Sequence, residues 1–272
     1  MPIHKNNASQ INQLRVGLVI YQHVLATGLT LPLEMLLAGE AFARRYDKSA
    51  IKLKTQLVSQ ENRAVTSRAG IQFLPDITLD NLADEEDYVP DIILVPSLWR
   101  NPRPVLKKHS KLIKWLKHCW QQGSTLLAVG TGVCFLAESG LLDDHSATTH
   151  WHYVEQFKRD YPKVEIKPDF FITQSERIYC AASLNALADI IVHIISQTYG
   201  RAAAQNVERN FSHEIRKPYE EQRYLEGAVD RHPDELIAQI QFWLRTNLSS
   251  DISLSELAEQ FGLSQRSFTR RF

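Results

Sequence analysis

Thiol chemistry needs a cysteine presented beside a group that stabilises its charge, and an oxyanion needs preorganised N–H donors. The usual way to present such a residue is a strand that enters a tight turn and opens at once into a helix. The stretch Leu126 to Leu142, LLAVGTGVCFLAESGLL, has that layout. The apolar run Thr125 to Val129 reaches Gly130-Thr131-Gly132, and a helical pattern follows. The residue at the turn is Gly130, which has no side chain to present. Cys134 is the cysteine near this turn, one helical turn deeper, and it reads either as a reactive thiol or as a small buried hydrophobe. Thr131 and the backbone N–H groups of Gly132 and Val133 open the helix, a place that favours an anionic ligand group.

The remaining candidates are weaker. The three cysteines, Cys119, Cys134 and Cys180, lack metal-ligand spacing, and their odd number argues against a disulfide framework. His145, His150 and His152 lack convincing ligand spacing too, so no metal is expected. His150, in the run Ala147-Thr148-Thr149-His150-Trp151, reads as a structural or pocket-wall histidine. Glu34 reads as a partner for a cationic ligand, or as an exposed or capping carboxylate. Trp99, Arg100 and Trp151 are pocket walls, core or surface.

These residues must be positioned by a sheet. Arg15 to Tyr21 and Asp91 to Pro96 are continuous apolar runs, as expected of strands buried on both faces. Lys52 to Ser59 alternates like a half-exposed strand, and Val65 to Phe73 reads as an edge hairpin around Ala69-Gly70. Helical spacing follows Pro32, which therefore sits near a helix start. Further helices are predicted at His109 to Gln122, with Leu112, Ile113, Leu116 and Trp120 on one face, at Trp151 to Tyr161, and at Asn185 to Tyr199, closed by Gly200. Two short strands lie near Phe171 and Ile178. Strands alternating with helices predict a flavodoxin-like α/β fold, a parallel sheet with helices on both faces. The expected plan is a flexible lead-in over 1–13, an α/β domain over 14–200, a helix and charged linker over 201–233, and a small all-α domain over 234–272. The acidic run Asp84 to Asp87 reads as a solvated loop.

The last residues, LSELAEQFGLSQRSFTRRF, fit a helix-turn-helix. Such a unit needs a small residue at the crossing, a turn residue that tolerates left-handed geometry, and apolar residues that lock the second helix. Ala258, Gly262 and the set Leu263, Phe268 and Phe272 meet those needs. Ser253 or Ser255 can cap the first helix and Ser264 the second. The second helix then offers Gln265, Arg266, Thr269 and Arg270 to base edges and phosphates. The competing reading is a helical hairpin with a solvated basic face. Acids outnumber arginines from Asp234 onward, so one unit alone should bind DNA weakly.

Composition sets outer bounds. With 272 residues and 44% hydrophobic content the chain can bury one large core and a small one. Formal net charge is +0, so no global field draws it to nucleic acid. No apolar run approaches the roughly 18 residues of a membrane span, and MPIHKNNASQINQ lacks a signal-peptide core. The chain reads as cytoplasmic, with no membrane partner.

The segment ISLSELAEQFGLSQRSFTRRF resembles the first helix-turn-helix of AraC/XylS-type transcription regulators. The N-terminal 200 residues resemble the PfpI-like fold of the class I glutamine amidotransferase-like superfamily. More narrowly, they are similar to amidase-type AraC regulators, which join the two. The landmarks are Pro32-Leu33-Glu34, the TGVCFLAESGLL run, Ala147 to Trp151, and Ala186 with Asp189. AraC-type domains usually hold two helix-turn-helix units, and this chain stops at Phe272, so the resemblance implies truncation after the first. In enzymes of the fold a cysteine occupies the elbow turn, an acid near the first helix pairs with it, and a Pro-Gly-Gly turn adds donors. The matching positions here are Gly130, Gly28 and Pro96-Ser97-Leu98. The resemblance therefore implies no catalytic residue and no cofactor, only an emptied pocket of Gly28, Glu34, Ser97, Leu98, Gly130, Thr131, Gly132 and His150. It implies a regulator with a promoter operator, a homodimeric state, and a small effector, since members often respond to nitrogenous metabolites such as amino acids or betaines. The alternative is a cytosolic PfpI-type hydrolase or redox enzyme using Cys134.

Overall fold

The structure, a computed structural model, describes residues 13–82, 88–99, 101–212, 240, 243–244 and 253–271. The chain divides into two compact units, 1–212 and 213–272, each described by itself.

The first unit is built on a seven-stranded sheet. β1 (Gln13–Val19) pairs in parallel with β2 (Lys52–Ser59) on one side and β6 (Ile92–Val95) on the other. β7 (Thr125–Val129) adds to β6 and β11 (Ile178–Ala181) adds to β7, again in parallel. Short β5 (Ile77–Thr78) extends the edge beyond β2, and antiparallel β10 (Ile172–Ser175) closes the other edge. The order is β10-β11-β7-β6-β1-β2-β5. All four residues of β6 are buried, as its unbroken apolar sequence requires of a strand covered on both faces. The predicted hairpin forms as β3 (Val65–Thr66) and β4 (Gln72–Phe73), in a separate two-stranded sheet. A second small pair joins β8 (Ser146–Ala147) to β9 (Glu165–Ile166).

Helix α1 (Thr27–Tyr46) connects β1 to β2, whereas α2 (Arg103–Lys108) and α3 (Ser110–Gln121) connect β6 to β7 in the opposite direction along the sheet. Right-handed crossovers in opposite directions place helices on opposite faces. Accordingly α1 packs with α6 (Leu184–Tyr199) and α7 (Arg201–Val207), and α3 packs with α2 and α4 (Val133–Glu138). The winding reverses between β1 and β6, which makes the carboxyl edge there the natural crevice of the fold. Between β8 and β9, α5 (Val154–Asp160) follows a 3-10 turn at Trp151–Tyr153.

Three local expectations change. α1 starts at Thr27, so Pro32 lies inside the helix and not at its start, because Gly28 and Leu29 are buried and extend the helix ahead of it. The predicted helix from His109 is α3, and its buried stripe is Leu112, Trp115, Leu116 and Cys119; Ile113 and Trp120 only flank the core. Trp115 Nε1 donates to the Tyr88 carbonyl at 2.9 Å, which lets an indole sit fully buried. The helix predicted after Gly200 forms as α7, but Ala203, Ala204 and Val207 are buried in the α/β core. It ends in a π-helical turn, Glu208–Ser212.

In the second unit α8 (Leu254–Gln260) and α9 (Gln265–Arg271) pack through Leu257, Ala258 and Phe268, together with Ile240. The lead-in over 1–12, the acidic run Asp84 to Asp87, Arg100, the linker over 217–233, most of the helix expected from Asp234 to Thr246, and Phe272 lie outside the described residues.

Candidate functional site

At the carboxyl edge of the sheet, β7 delivers Gly130 with φ +53°, and Gly130–Gly132 form one 3-10 turn before α4. That left-handed backbone is the strained presentation expected of an elbow, and glycine adopts it without a Cβ penalty. A Cβ at Gly130 would sit 2.8 Å from Ser97 Oγ and 3.7 Å from His150 Cβ. The space in front of the elbow is thus taken by the Ser97 hydroxyl. Gly28, in the first turn of α1, faces the same turn: its Cβ would lie 3.2 Å from Pro96 Cβ and 3.7 Å from the Ser97 nitrogen. The structure brings Gly28, Ser97, Leu98, Gly130, Thr131, Gly132 and His150 to one place. Glu34 does not join them: it is exposed on α1.

The polar groups of this cluster are spent on one another. Thr131 N–H donates to Ser97 Oγ at 3.3 Å, and Leu98 N–H donates to Thr131 Oγ1 at 3.0 Å. The Thr131 hydroxyl donates to the Leu98 carbonyl at 2.8 Å and lies 3.0 Å from Ser97 Oγ. Thr149 Oγ1 donates to the Gly130 carbonyl at 2.8 Å, so the Thr148-Thr149 run clamps the turn from the other side. Beneath, buried Tyr21 donates its hydroxyl to the Pro96 carbonyl and stacks on Phe135 at 4.9 Å. Burial, and then the Cys134 thiol, raise the Tyr21 phenol well above its usual range, so it stays a donor. Val133 N–H, expected to greet an anion, donates to the Gly130 and Thr131 carbonyls. The N–H groups that would hold an oxyanion, Thr131 and Leu98, are occupied by side-chain oxygens.

Cys134 is fully buried. Burial, then the nearby Glu138 carboxylate, push its thiol far up from the ordinary range, the reverse of what a nucleophile needs. Cys119 and Cys180 are also buried, each pushed up to about 12 by desolvation. His150 is exposed, its Nδ1 accepts from His152 N–H at 3.3 Å, and desolvation followed by the His152 charge lowers its pKa. Trp99 and Trp151 lie on the surface, at 56% and 77% exposure, not in the core. Among the described residues no group of three His, Cys, Asp or Glu side chains is placed to hold a metal ion, and no helix is long and apolar enough to cross a membrane.

The helix pair is built by capping. Ser253 accepts from Glu256 N–H at 3.3 Å while the Glu256 carboxylate accepts from Ser253 N–H at 2.9 Å, a reciprocal capping box. Gly262 turns the chain at φ +67°, and Leu263 N–H donates back to the Ala258 carbonyl at 2.8 Å. Ser264 Oγ accepts from Ser267 N–H at 3.2 Å and opens α9. Ala258 and Phe268 are buried at 1% and 2%, as the crossing demands, while Gln265, Arg266 and Thr269 are exposed. Thr269 Oγ1 donates to the Gln265 carbonyl at 2.9 Å, so its hydroxyl must turn before it can read a base. The Arg270 side chain lies outside the described set.

The DJ-1/PfpI family model matches residues 23–197. The chain belongs to the DJ-1/PfpI family. The chain is similar to two Pseudomonas aeruginosa proteins described as HTH-type transcriptional regulators. CdhR is 28% identical over 59% of this chain and 48% of its own length; GbdR is 27% identical over 79% and 56%. The chain thus spans about half the length of these curated relatives. It is also 22% identical to the isonitrile hydratase of Pseudomonas putida over 90% of this chain and 96% of that one. In solved structures, the fold is matched by an AraC family transcriptional regulator from Pseudomonas putida, with TM-score 0.60 and 23% identity over 73% of this chain and all of that one. Of the residues that shape this DJ-1/PfpI elbow, sequence reasoning assigned no role to Thr149 and Tyr21. The paired threonines were visible, but nothing local shows which carbonyl a threonine will reach.

Proposed function

We propose that this chain is a DNA-binding transcription regulator in which a DJ-1/PfpI domain without covalent catalysis serves as a sensor or dimerisation module. The observation that carries the reading is the helix pair: capped at both starts, locked by Ala258 and Phe268, and exposing Gln265, Arg266 and Thr269. Regulator relatives with the same domain support it. Arg266 supplies a charge for phosphate or a bidentate donor for guanine, and Gln265 a bidentate partner for adenine. A second subunit presents a second helix, and two-site engagement raises affinity through effective concentration. The effector is a small molecule, and the operator lies in a promoter.

The elbow is the rigid floor of this module rather than a reaction centre. Gly130 has no nucleophile, Ser97 Oγ fills its front, and the cysteines are buried. This argues against the hydratase-like reading with Cys134. The test is fluorescence anisotropy of the purified chain on its own upstream DNA against a shuffled duplex in moderate salt. Selective binding is expected, and equal affinity for both duplexes refutes the reading. In parallel, iodoacetamide should leave the folded chain unlabelled at neutral pH and label it after denaturation.

A further inference from the structure

We propose that the outer face of α2 and α3 is a second DNA-binding surface, a lysine array that holds backbone phosphates without reading bases. The inference rests on the regulator reading for its partner and assigns part of the affinity to the DJ-1/PfpI domain. No Asp or Glu stands between Asp91 and Glu138, whereas Arg103, Lys107, Lys108, Lys111, Lys114 and Lys117 all fall inside that span. In a chain of net charge +0, such a stretch is a strong local excess of positive charge. α3 buries Leu112, Trp115, Leu116 and Cys119, while Lys114 and Lys117 stand exposed. Lys107 and Lys108 are exposed at the end of α2.

An ordinary solvated helix face mixes charges, because opposite signs three or four positions apart stabilise a helix and like signs destabilise it. Here Lys111, Lys114 and Lys117 follow one another at spacing three, and neither helix contains an acid. Lys111 also sits in the first turn of α3, where a cation opposes the helix dipole. The arrangement works against the free helix, which favours a partner that supplies the missing negative charge. Acids of neighbouring elements reach only the borders of the array. Asp80 pairs with Lys111 at 3.4 Å, and Asp160 accepts from Arg103 Nε at 3.1 Å. Lys107, Lys108, Lys114 and Lys117 form no ion pair among the described residues.

The spacing selects the class of anion. From Lys111 to Lys117 the helix axis advances about 9 Å, so the face offers a row of charges and not a cup for one small anion. Duplex DNA carries one charge per roughly 1.7 Å of axis, about five over the same length. Lysine, a compact charge on a flexible stem, suits phosphate contacts that carry no sequence information. Neither helix exposes a large apolar side chain, which a helix lying in a bilayer interface needs. The helix pair itself is poorly supplied with positive charge. From Asp234 onward, Asp234, Glu235, Asp251, Glu256 and Glu259 outnumber Arg245, Arg266, Arg270 and Arg271. The electrostatic part of DNA affinity therefore has a better source in α2 and α3.

The test compares two variants of the full chain that lose equal charge. The first carries Lys107→Gln, Lys108→Gln, Lys114→Gln and Lys117→Gln. The second carries Arg45→Gln, Lys48→Gln, Lys52→Gln and Lys54→Gln, at the end of α1 and in or before β2. All eight side chains are exposed, so both variants should keep the circular dichroism of the wild type. The acidic run Asp84 to Asp87 stays intact in both, so its screening is common to them. Anisotropy titrations on the upstream duplex and a shuffled one give the slope of log affinity against log salt. The first variant should flatten that slope by about 2 to 4 and weaken both duplexes equally, roughly tenfold or more in moderate salt. The second should keep the wild-type slope. In the wild type, bound DNA should protect Lys107, Lys108, Lys114 and Lys117 from acetylation, but not Lys48, Lys52 and Lys54. This readout needs no variant, so poor folding of the first one leaves the proposal testable. An unchanged slope in the first variant, equal flattening in both, or no protection of the four lysines would each overturn it. Wild-type binding to phosphatidylserine vesicles but to neither duplex would overturn it as well. The regulator reading fails separately, when the wild type binds both duplexes equally, since slope and protection can still be read on the shuffled duplex.

Discussion

The elbow and the helix pair use one local device for opposite ends. In each, a glycine in left-handed geometry sends the chain into a helix: Gly130 at φ +53° before α4, Gly262 at φ +67° before α9. At Gly130 the surroundings close over the turn, with Ser97 and His150 in front and Thr149 bonded to its carbonyl. At Gly262 nothing lies within 4 Å of a notional Cβ, and the polar residues that follow stay exposed. A turn by itself does not make a site. Whether its neighbours spend their hydrogen bonds on each other or leave them for a ligand decides what the turn is for.

The sharpest way to break this contrast is Gly132→Ala. Its Cβ would fall 2.4 Å from the Pro96 carbonyl oxygen and 2.5 Å from that of Val95, both backbone atoms that cannot swing away. We expect a loss of about 3 kcal/mol or more, read by urea unfolding of the α/β unit. The same change at Gly262 meets open space and should cost only about 1 kcal/mol, from the left-handed φ alone. Equal costs at the two glycines would erase the distinction between a closed and an open turn.

Function offers the next contrast. Arg266→Ala should weaken DNA binding by about tenfold and lower the salt slope by about one if its contact is to phosphate, without moving Tm. Ser97→Ala, in the self-bonded cluster, should leave DNA affinity unchanged but cost about 1–2 kcal/mol, because the Thr131 N–H loses its partner. The smallest effect concerns the capping box. Hydrogen bonds from the Ser253 side chain, then from its backbone N–H, hold the Glu256 carboxyl below its usual range. A depressed carboxyl contributes stability above its unfolded pKa and loses it as pH falls through the folded value. Circular dichroism at 222 nm should therefore show the helix pair fraying as pH falls below the usual carboxylate range and through the lowered Glu256 pKa, and Ser253→Ala should remove that pH dependence.

Much of this was legible in residue order. Buried parallel strands announce themselves as apolar runs, so β1, β6 and β7 were legible chiefly from their Val, Ile and Leu residues. The helix pair was legible down to Ala258, Gly262 and Ser264, because capping and crossing are interactions between residues a few positions apart. The absence of a side chain at Gly130 and at Gly28 is likewise a fact of sequence. What the sequence misplaced was set by contacts far along the chain. Pro32 marks a helix start only if nothing before it is buried, and Gly28 and Leu29 are. Residues 201–207 read as a helix beyond an α/β domain that ends at Gly200, whereas Ala203, Ala204 and Val207 pack into the α/β core. The filling of the elbow by Ser97 and Thr131, 34 residues apart, and the shared exposure of the α2 and α3 lysines required the tertiary structure. Sequence determines which groups a chain can offer, through composition and local periodicity. Only the packed fold decides which donors find acceptors, because that pairing depends on distances no local pattern encodes.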